Sequence, residues 1–319
     1  MDKDKIRFIA VGGATATGKS ALALELAQRL GGEIVSCDSM QIYRGMDIGT
    51  AKPTIAQRRL IPHHMIDVCD PSDDYSASLW ADGASAAIRS VASRGRIPIV
   101  CGGTGMYLDA LLRPRSFCDG SGDSAAIRAQ LWERAERNGA DLLYTELQQI
   151  DPESARTIHP NNVKRVIRAL EIYYTTGITK TESDRLSREG TSEFDPIIIN
   201  VIFEDRVRLY SRIDRRVDEM MDSGLEAEVR ALTSSGQLCR TSTAAQAIGY
   251  REMLDFLDGR LTLPEAVSLI KQDSRNYAKR QITWFRRYDA IRAVPDADGS
   301  ILTAKELCDS VMPHIREKF

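Results

Sequence analysis

The first hundred residues alternate between short apolar runs and segments with helical spacing. Residues 6–11, 33–37 and 97–101 are compact apolar runs that predict buried strands. Between them, residues 20–30 and 77–93 place apolar side chains at the spacing of an amphipathic helix. Strands separated by helices predict βαβ units, and therefore a parallel sheet with helices on both faces. Such sheets bind ligands at the carboxyl ends of their strands, so we expect the chemistry there.

The pattern changes over residues 113–196, where strand signals vanish. Three segments there have helical periodicity: 125–138, 141–150 and 163–176. Residues 197–203 (IIINVIF) return to the pattern of a buried strand, and the remainder is mainly helical with a short strand near 290–294. We therefore expect a core formed by residues 1–112 and 197–319. Residues 113–196 should form an inserted, mainly helical domain.

Composition narrows the classes of protein that remain. The chain has 319 residues, 43 Lys and Arg against 45 Asp and Glu, and a net charge of −2, which excludes a globally basic nucleic-acid binder but not a local basic patch. Neither a signal peptide nor an apolar stretch of about 18 residues is present. The six cysteines form no C-x-x-C pair and the four histidines no H-x-x-x-H pair, which argues against zinc. We expect a cytoplasmic protein, and a monomer because nothing indicates an oligomer interface.

Residues 13–20 (GATATGKS) match the pattern G-x-x-x-x-G-K-[ST] of a phosphate-binding P-loop. They stand between a predicted strand and a predicted helix, which is the context that supports the assignment. Glycines let backbone amides converge on phosphate oxygens, Lys19 adds a full charge and Ser20 can help hold Mg²⁺. The fold class is therefore predicted as α/β with a P-loop NTPase-like parallel sheet core. The predicted phosphate-binding residues are Gly13, Ala14, Thr15, Ala16, Thr17, Gly18, Lys19 and Ser20.

An acidic residue follows the second predicted strand rather than the third. The third strand runs into Gly102-Gly103-Thr104-Gly105, whereas Asp38 directly follows the second strand in the run CDSMQ. This carboxylate should lie beside the P-loop at the carboxyl edge of the sheet. It can act as a general base, as a metal ligand or as a helix N-cap, and spacing alone leaves these three roles open.

Longer motifs accompany the P-loop. The runs GGATATGKS, CDSMQIYRGMDIGTAKP, PHHMIDV and GGTGMYLDAL are followed by IHPNN, GYRE and YAKRQITWFR. Together they resemble the tRNA dimethylallyltransferase (tRNA isopentenyltransferase) family, from the P-loop to about residue 287. One departure is Ala14, where many relatives carry proline; the glycines and Lys19 of the loop remain.

The resemblance implies a reaction and a set of roles. The dimethylallyl group would pass from dimethylallyl diphosphate to the exocyclic amino group of the adenosine immediately 3′ of a tRNA anticodon, with release of diphosphate. The P-loop would bind the diphosphate with Mg²⁺, Asp38 would be the general base, and Thr104 would line the site. Arg212 or Arg216 would clamp the diphosphate. The implied catalytic residues are Asp38, Lys19, Thr104, Arg212 and Arg216.

Two basic helices are candidates for contact with the tRNA anticodon stem-loop. If residues 275–288 are helical, Tyr277, Gln281, Trp284 and Tyr288 form one stripe, which favours core packing, and Arg275, Lys279 and Arg286 face the other way. The helix over 163–176 likewise separates an apolar face from basic side chains. A merely solvated charged face is the alternative for both. The predicted tRNA-binding residues are Asp38, Ser39, Met40, Gln41, Thr104, Arg128, Lys164, Arg165, Arg168, Gly249, Tyr250, Arg251, Lys279, Arg280, Gln281, Trp284 and Arg286.

Three other functions compete with this hypothesis. A small-molecule P-loop kinase would use Asp38 to accept a hydroxyl proton, and it would transfer phosphate from ATP. A prenyltransferase acting on free adenine nucleotide would leave residues 113–196 and the basic helices without a purpose. A non-catalytic RNA-binding module that uses the P-loop as a switch would bind RNA regardless of Asp38.

Overall fold

The structure, a computed structural model, describes residues 5–112, 124–189, 192–296 and 300–318. The chain divides into two compact units. The first is formed by Met1–Leu111 and Phe194–Phe319, and the second by Leu112–Glu193. The sequence-based boundaries, after residues 112 and 196, differ from these by one and three residues. The second difference arises because the strand predicted from residue 197 begins at Phe194.

A six-stranded sheet forms the centre of the first unit. Its strands are β1 Ile6–Gly13, β2 Glu33–Ser36, β3 His63–His64, β4 Pro98–Cys101, β5 Phe194–Val201 and β6 Ile291–Ala293. They are ordered β3-β2-β4-β1-β5-β6, and all neighbours pair in parallel. In this register Ile9 lies opposite Ile99 in one neighbour and Ile197 in the other. The predicted α/β fold with a P-loop-like parallel sheet is confirmed.

The described residues form fourteen α-helices, none of which is long and apolar enough to cross a membrane. They are α1 Lys19–Leu30, α2 Ile55–Leu60, α3 Ala77–Ser93, α4 Gly105–Leu112, α5 Ser124–Asn138, α6 Ala140–Ile150, α7 Pro152–Thr157, α8 Val163–Thr176, α9 Lys180–Glu189, α10 Arg206–Asp222, α11 Leu225–Ser234, α12 Tyr250–Leu257, α13 Leu263–Phe285 and α14 Ala304–Lys318. Helices α1 and α14 share one apolar cluster with the sheet. Helices α3 and α13 cover the opposite face, where Phe285 of α13 lies against Gly12 of β1.

Helix α1 is bounded by two glycines that adopt left-handed backbone conformations. Gly18 has a φ of 95° immediately before the helix, and Gly31 has a φ of 64° immediately after it. Side chains such as Leu22 and Leu26, four residues apart, are fully buried against the sheet. The first turn of α1 is thereby fixed at the carboxyl end of β1, which is where a P-loop requires it.

The second unit is helical and has its own core. Its apolar cluster includes Leu131, Leu147 and Leu170, which come from α5, α6 and α8. Two buried carboxylates tie its helices together. Asp151 caps α7 by accepting the N–H of Ser154 at 3.0 Å, and it also accepts bonds from Thr181 at the start of α9. Glu171 accepts hydrogen bonds from Ser124, Arg128 and Arg168, so it connects α5 to α8.

Candidate active site

The P-loop follows β1 and is held in a strained conformation by its surroundings. Gly13 has a φ of +136°, and a side chain there would lie 2.5 Å from the backbone oxygen of Val201. Ala16 also has a positive φ, of 61°. The Nζ of Lys19 donates to the backbone oxygen of Ala14 at 2.5 Å. Burial lowers the pKa of Lys19 to about 8, so the ammonium is still mostly protonated at neutral pH.

Two cavities open at the carboxyl edge of the sheet. One, of about 280 Å³, is polar and includes Lys19, Ser20, Gly102 and Gly103 in its wall. The other, of about 250 Å³, is largely apolar, with side chains such as Ile213, Val217, Met220, Ile248 and Ile270. Five residues line both cavities: Thr15, Asp38, Thr50, Arg216 and Tyr277. A phosphate-sized polar space and an apolar space therefore meet at Asp38.

Asp38 uses one carboxylate oxygen locally. Its Oδ1 accepts the N–H groups of Met40 at 2.9 Å and Gln41 at 3.3 Å, which fixes the turn that follows β2. No helix begins at this turn, because the next one starts at Ile55. Of the three roles left open by the sequence, a helix N-cap is therefore wrong. In the described residues Oδ2 has no hydrogen-bond or ion-pair partner, which leaves it available to a substrate or a metal ion.

Thr104 is hydrogen-bonded to the residues on either side of Asp38. Its Oγ1 accepts the N–H of Ser39 at 3.1 Å, and its own N–H donates to the backbone oxygen of Cys37 at 3.2 Å. Among the described residues, Thr104 is not part of either cavity wall. The structure shows Thr104 holding the Asp38 segment in place, and its expected position near the diphosphate stays a prediction. Burial raises the pKa of Tyr277 to about 12, so its phenol stays neutral beside Asp38.

Arg212 and Arg216 lie one turn apart on α10 but have different environments. Arg216 lines both cavities, and burial lowers its pKa while the charge of Asp38 opposes that shift. The Nε of Arg212 instead donates to the backbone oxygen of Ala16 at 2.9 Å, and its guanidinium lies 5.3 Å from the ring centroid of Phe203. Arg216 is thus placed to contact a ligand, whereas Arg212 supports the P-loop.

The inner face of α13 packs on glycine backbone around the P-loop. Gln281 is 5% exposed, and its Nε2 donates to the backbone oxygen of Gly103 at 2.9 Å. A side chain on Gly105 would lie 2.1 Å from the Trp284 ring. The prediction that Gln281 binds tRNA is therefore corrected, because its side chain is used inside the protein. The place of Gln281 on the predicted core stripe was the signal for this role. Trp284 is partly exposed, and its contact with tRNA stays a prediction.

The GYRE motif is also structural in large part. Tyr250 is fully buried, and its hydroxyl donates to Oε1 of Glu228 at 2.5 Å. The same carboxylate accepts the N–H groups of Asp47 and Ile48 at 2.9 and 2.8 Å and so holds the loop that leads to Gly49. A side chain on Gly49 would lie 2.4 Å from Tyr250. The predicted tRNA contact by Tyr250 is corrected accordingly.

Neighbouring residues of this motif are similarly engaged. Gly249 is buried, and its N–H donates to Glu252 at 2.7 Å. Arg251 forms ion pairs with Glu252 and Asp273, both at 2.5 Å. The predicted tRNA contact by Gly249 is therefore wrong, because this residue is buried. Arg251 could bind RNA only by giving up its ion pairs with Glu252 and Asp273.

The basic side chains on the outer face of α13 remain exposed, with one exception. Lys279, Arg280 and Arg286 are exposed and have no ion-pair partner in the described residues. Arg280 also lies at the apolar cavity, with its guanidinium 5.5 Å from the ring centroid of Tyr277. Arg275 is the exception, because it pairs with Asp214 of α10.

The second unit presents the other predicted basic group on α8. Lys164 and Arg165 are exposed and have no ion-pair partner among the described residues. The side chains of Arg168 and Arg128 are about half exposed, and both pair with Glu171. Lys164 and Arg165 are therefore the better candidates for contact with phosphates.

The remaining predicted contacts lie at the Asp38 turn. Ser39 and Met40 line the apolar cavity, and Gln41 lines the polar one. The Nε2 of Gln41 donates to the backbone oxygen of Thr50 at 3.2 Å, which connects the turn to the loop beyond Gly49. These three side chains lie close to the point where the cavities meet, and their contact with tRNA stays a prediction.

Sequence reasoning missed three residues of the site. Lys52 and His63 line the polar cavity. Glu228 holds the loop that leads to Gly49, and Gly49 lines the apolar cavity. Lys52 is held by Asp47 and Asp67 at 2.8 and 2.6 Å, so its charge is already neutralised. Lys52 and His63 stand inside the motifs GTAKP and PHHMIDV, which could have identified them; Glu228 lies in none.

Comparison with known proteins agrees with the motifs. The family described as IPP transferase matches residues 41–288, and one described as isopentenyl transferase matches residues 6–61. This chain belongs to the IPP transferase family. The family resemblance seen in the motifs is thus confirmed. The IPP transferase match includes the Gly102–Gly105 run and α13, whereas the P-loop and Asp38 lie in the isopentenyl transferase match.

Individual relatives of this IPP transferase are similar over most of their length. The tRNA dimethylallyltransferase of Pelotomaculum thermopropionicum is 47% identical over 91% of this chain and 91% of its own, and that of Caldanaerobacter subterraneus is 44% identical over 90% and 91%. A crystal structure of a tRNA isopentenylpyrophosphate transferase from Bacillus halodurans matches with a TM-score of 0.70 at 40% identity, covering 98% of both chains. A eukaryotic dimethylallyltransferase acting on tRNA matches with a TM-score of 0.81 at 29% identity, covering 98% of this chain and 80% of its own.

Proposed function

We propose that this protein is a tRNA dimethylallyltransferase. It transfers the dimethylallyl group of dimethylallyl diphosphate to the exocyclic amino group of the adenosine immediately 3′ of the anticodon and releases diphosphate. The observation that supports this most directly is the meeting of a polar and an apolar cavity at one carboxylate, Asp38. The reaction needs these three features together: a polar space for the diphosphate, an apolar space for the short hydrocarbon group, and a carboxylate that takes a proton from the attacking amino group.

The polar cavity suits the leaving group. Breaking the allylic C–O bond moves an electron pair onto the diphosphate, and positive charge placed there in advance stabilises the transition state. Lys19 and Arg216 supply two cationic side chains in this cavity, and the start of α1 supplies backbone N–H groups. Arg216 reaches the junction of the cavities, so it is the arginine that we assign to the diphosphate.

Asp38 suits the acceptor. The lone pair of the adenine amino group is shared with the ring, so removal of its proton as the C–N bond forms is worth about 10²–10⁴-fold in rate. Oδ1 of Asp38 is fixed by two backbone N–H groups, which leaves Oδ2 to take that proton. Both cavity walls include Asp38, so an amino group entering through the apolar cavity can reach it beside the diphosphate.

A Mg²⁺ ion fits the donors of the polar cavity when the substrate is included. The described residues offer no cluster of three or more His, Cys, Asp or Glu side chains for a metal. The cavity does offer the hydroxyl of Ser20 and the carboxylate of Asp38, and Mg²⁺ commonly binds one or two protein groups together with phosphate oxygens and waters. Ser20 would hold the ion, which would neutralise charge on the diphosphate.

The tRNA would be held by basic side chains on both units. On the first unit these are Lys279, Arg280 and Arg286; on the second they are Lys164 and Arg165. Phosphate contacts from such side chains offset the cost, about a few kcal/mol, of drawing one base out of a stacked loop. Residues of one chain line both cavities, which supports a monomer. We expect the activity in the cytoplasm because the proposed substrate is a tRNA.

The test is direct. Purified protein is incubated with unmodified tRNA, Mg²⁺ and dimethylallyl diphosphate, and the nucleosides are analysed by mass. We expect one dimethylallyl group on the adenosine 3′ of the anticodon, and loss of turnover by orders of magnitude in Lys19→Ala with binding of the stem-loop retained. Transfer of phosphate from ATP, or prenylation of free adenosine monophosphate at the rate seen with tRNA, would refute the assignment.

A further inference from the structure

Gln281 blocks one end of the P-loop. Its Oε1 accepts the N–H of Thr15 at 2.8 Å, while its Nε2 donates to the backbone oxygen of Gly103. The orientation of this amide is fixed, because a flipped group would place donor against donor and acceptor against acceptor. Gly103 has no room for a side chain, since one would lie 2.0 Å from Nε2. The first half of the loop is therefore closed by a buried, well-fixed side chain.

The second half of the loop is open. In the described part of the chain, the N–H groups of Thr17, Gly18, Lys19 and Ser20 have no hydrogen-bond acceptor. These donors surround the start of α1, where the helix terminus also attracts anions. The loop thus presents a row of unoccupied donors at one end and an occupied donor, that of Thr15, at the other.

This asymmetry bears on how many phosphoryl groups the loop accepts. In a P-loop the backbone amides hold the first two groups of a nucleotide, and the lysine reaches toward the third. Lys19 extends toward Ala14, in the half of the loop that Gln281 closes. A third phosphoryl group following the lysine would meet the carbonyl oxygen of Gln281, which carries partial negative charge, and would find the Thr15 amide already taken.

We infer that Gln281 makes this P-loop selective for diphosphate esters over triphosphates, including ATP. The inference rests on the proposed function in that the diphosphate is assigned to the P-loop. Gln281 acts as a specificity-determining residue without a role in bond making. The preference is the reverse of what charge alone would produce, because a triphosphate carries more negative charge toward Lys19 and Arg216.

The test is binding of inorganic diphosphate and inorganic triphosphate by titration calorimetry at fixed Mg²⁺. The variants are Gln281→Ala, which opens the space, and Gln281→Met, which fills it but accepts no hydrogen bond. Gln272→Ala is the matched control, because Gln272 is exposed on the same helix. We expect the wild type and the control to bind diphosphate at least about tenfold more tightly, since a hydrogen bond to a charged group is worth about that factor or more. In Gln281→Ala the affinities for diphosphate and triphosphate should differ by no more than about threefold. In Gln281→Met the ratio of the two affinities should lie between that of Gln281→Ala and that of the wild type.

Two results would overturn the inference. One is equal affinity of the wild type for the two anions, which needs no variant at all. The other is an unchanged ratio in either Gln281 variant whose melting curve matches the wild type. Dimethylallyl transfer is measured separately on the same samples. Transfer by the wild type without the expected ratio refutes only the role of Gln281, whereas the expected ratio without any transfer refutes the proposed function.

Discussion

The two arginines of α10 provide a matched pair for testing how charge is used in the site. We predict that Arg216→Gln lowers kcat/KM for dimethylallyl diphosphate far more than Arg212→Gln. Arg216 lines both cavities, so its loss removes charge-assisted hydrogen bonds to the diphosphate. One or two such bonds, at about 1.5–3 kcal/mol each, correspond to roughly 10–10⁴-fold in kcat/KM.

Arg212 should behave differently because its contacts are with the protein. It contributes one hydrogen bond to Ala16 and one contact with the ring of Phe203. Together these two contacts are worth about 1–2 kcal/mol, and their effect is to keep the P-loop ordered. Arg212→Gln should therefore lower the melting temperature by about 2–8 °C and reduce kcat/KM by no more than about tenfold.

Steady-state kinetics with saturating tRNA and melting curves on the same preparations decide between these outcomes. Inorganic diphosphate as a competitive inhibitor adds a binding measurement that does not depend on chemistry. The reasoning fails if Arg212→Gln loses more kcat/KM than Arg216→Gln, or if Arg216→Gln binds diphosphate as tightly as the wild type.

Three further predictions concern other parts of the protein. Asp38→Asn should abolish most turnover while diphosphate affinity stays similar; recovery at high Mg²⁺ would instead identify a metal ligand. Neutralising Lys279, Arg280 and Arg286 should lower the slope of log Kd against log salt for an anticodon stem-loop by up to about three units, and an unchanged slope would mean a solvated surface. Burial disfavours the charged form of Glu171, but bonds from Arg128 and Ser124 outweigh this and lower its pKa below 4.5. The ionised Glu171 therefore stabilises the fold above pH 4.5, and this stabilisation is lost as the pH falls through the lowered pKa of the folded protein. The melting temperatures of the wild type and Glu171→Gln should converge in acid. A constant difference between them from pH 7 to 3 would contradict this.

Much of the core could be predicted because its signals are local. The helix over residues 77–93 and the P-loop between β1 and α1 follow from periodicity and a contiguous motif. The strand β3 could not, because two residues carry no period. The basic motif around Gln281 predicts a contact with RNA, although its place on the predicted core stripe indicates burial. Only its hydrogen bond with Thr15, 266 residues away, shows its role.

The two arginines of α10 show a second limit. Arg212 and Arg216 are four residues apart, so helical periodicity places them on one face and cannot separate their roles. What separates them is depth along the helix, which decides whether the guanidinium meets a loop carbonyl or a cavity. That information lies in the packing of α10 against the P-loop and not in the sequence spacing.

The bond between Thr15 and Gln281 also has a consequence for the order in which the protein matures on the ribosome. The loop is made before its partner, which follows 266 residues later. At roughly 5–20 residues per second, that interval is about 13–53 s. A nascent chain lacking α13 would therefore leave the Thr15 amide free, so the preference for diphosphate over triphosphate would arise only after Gln281 had been made.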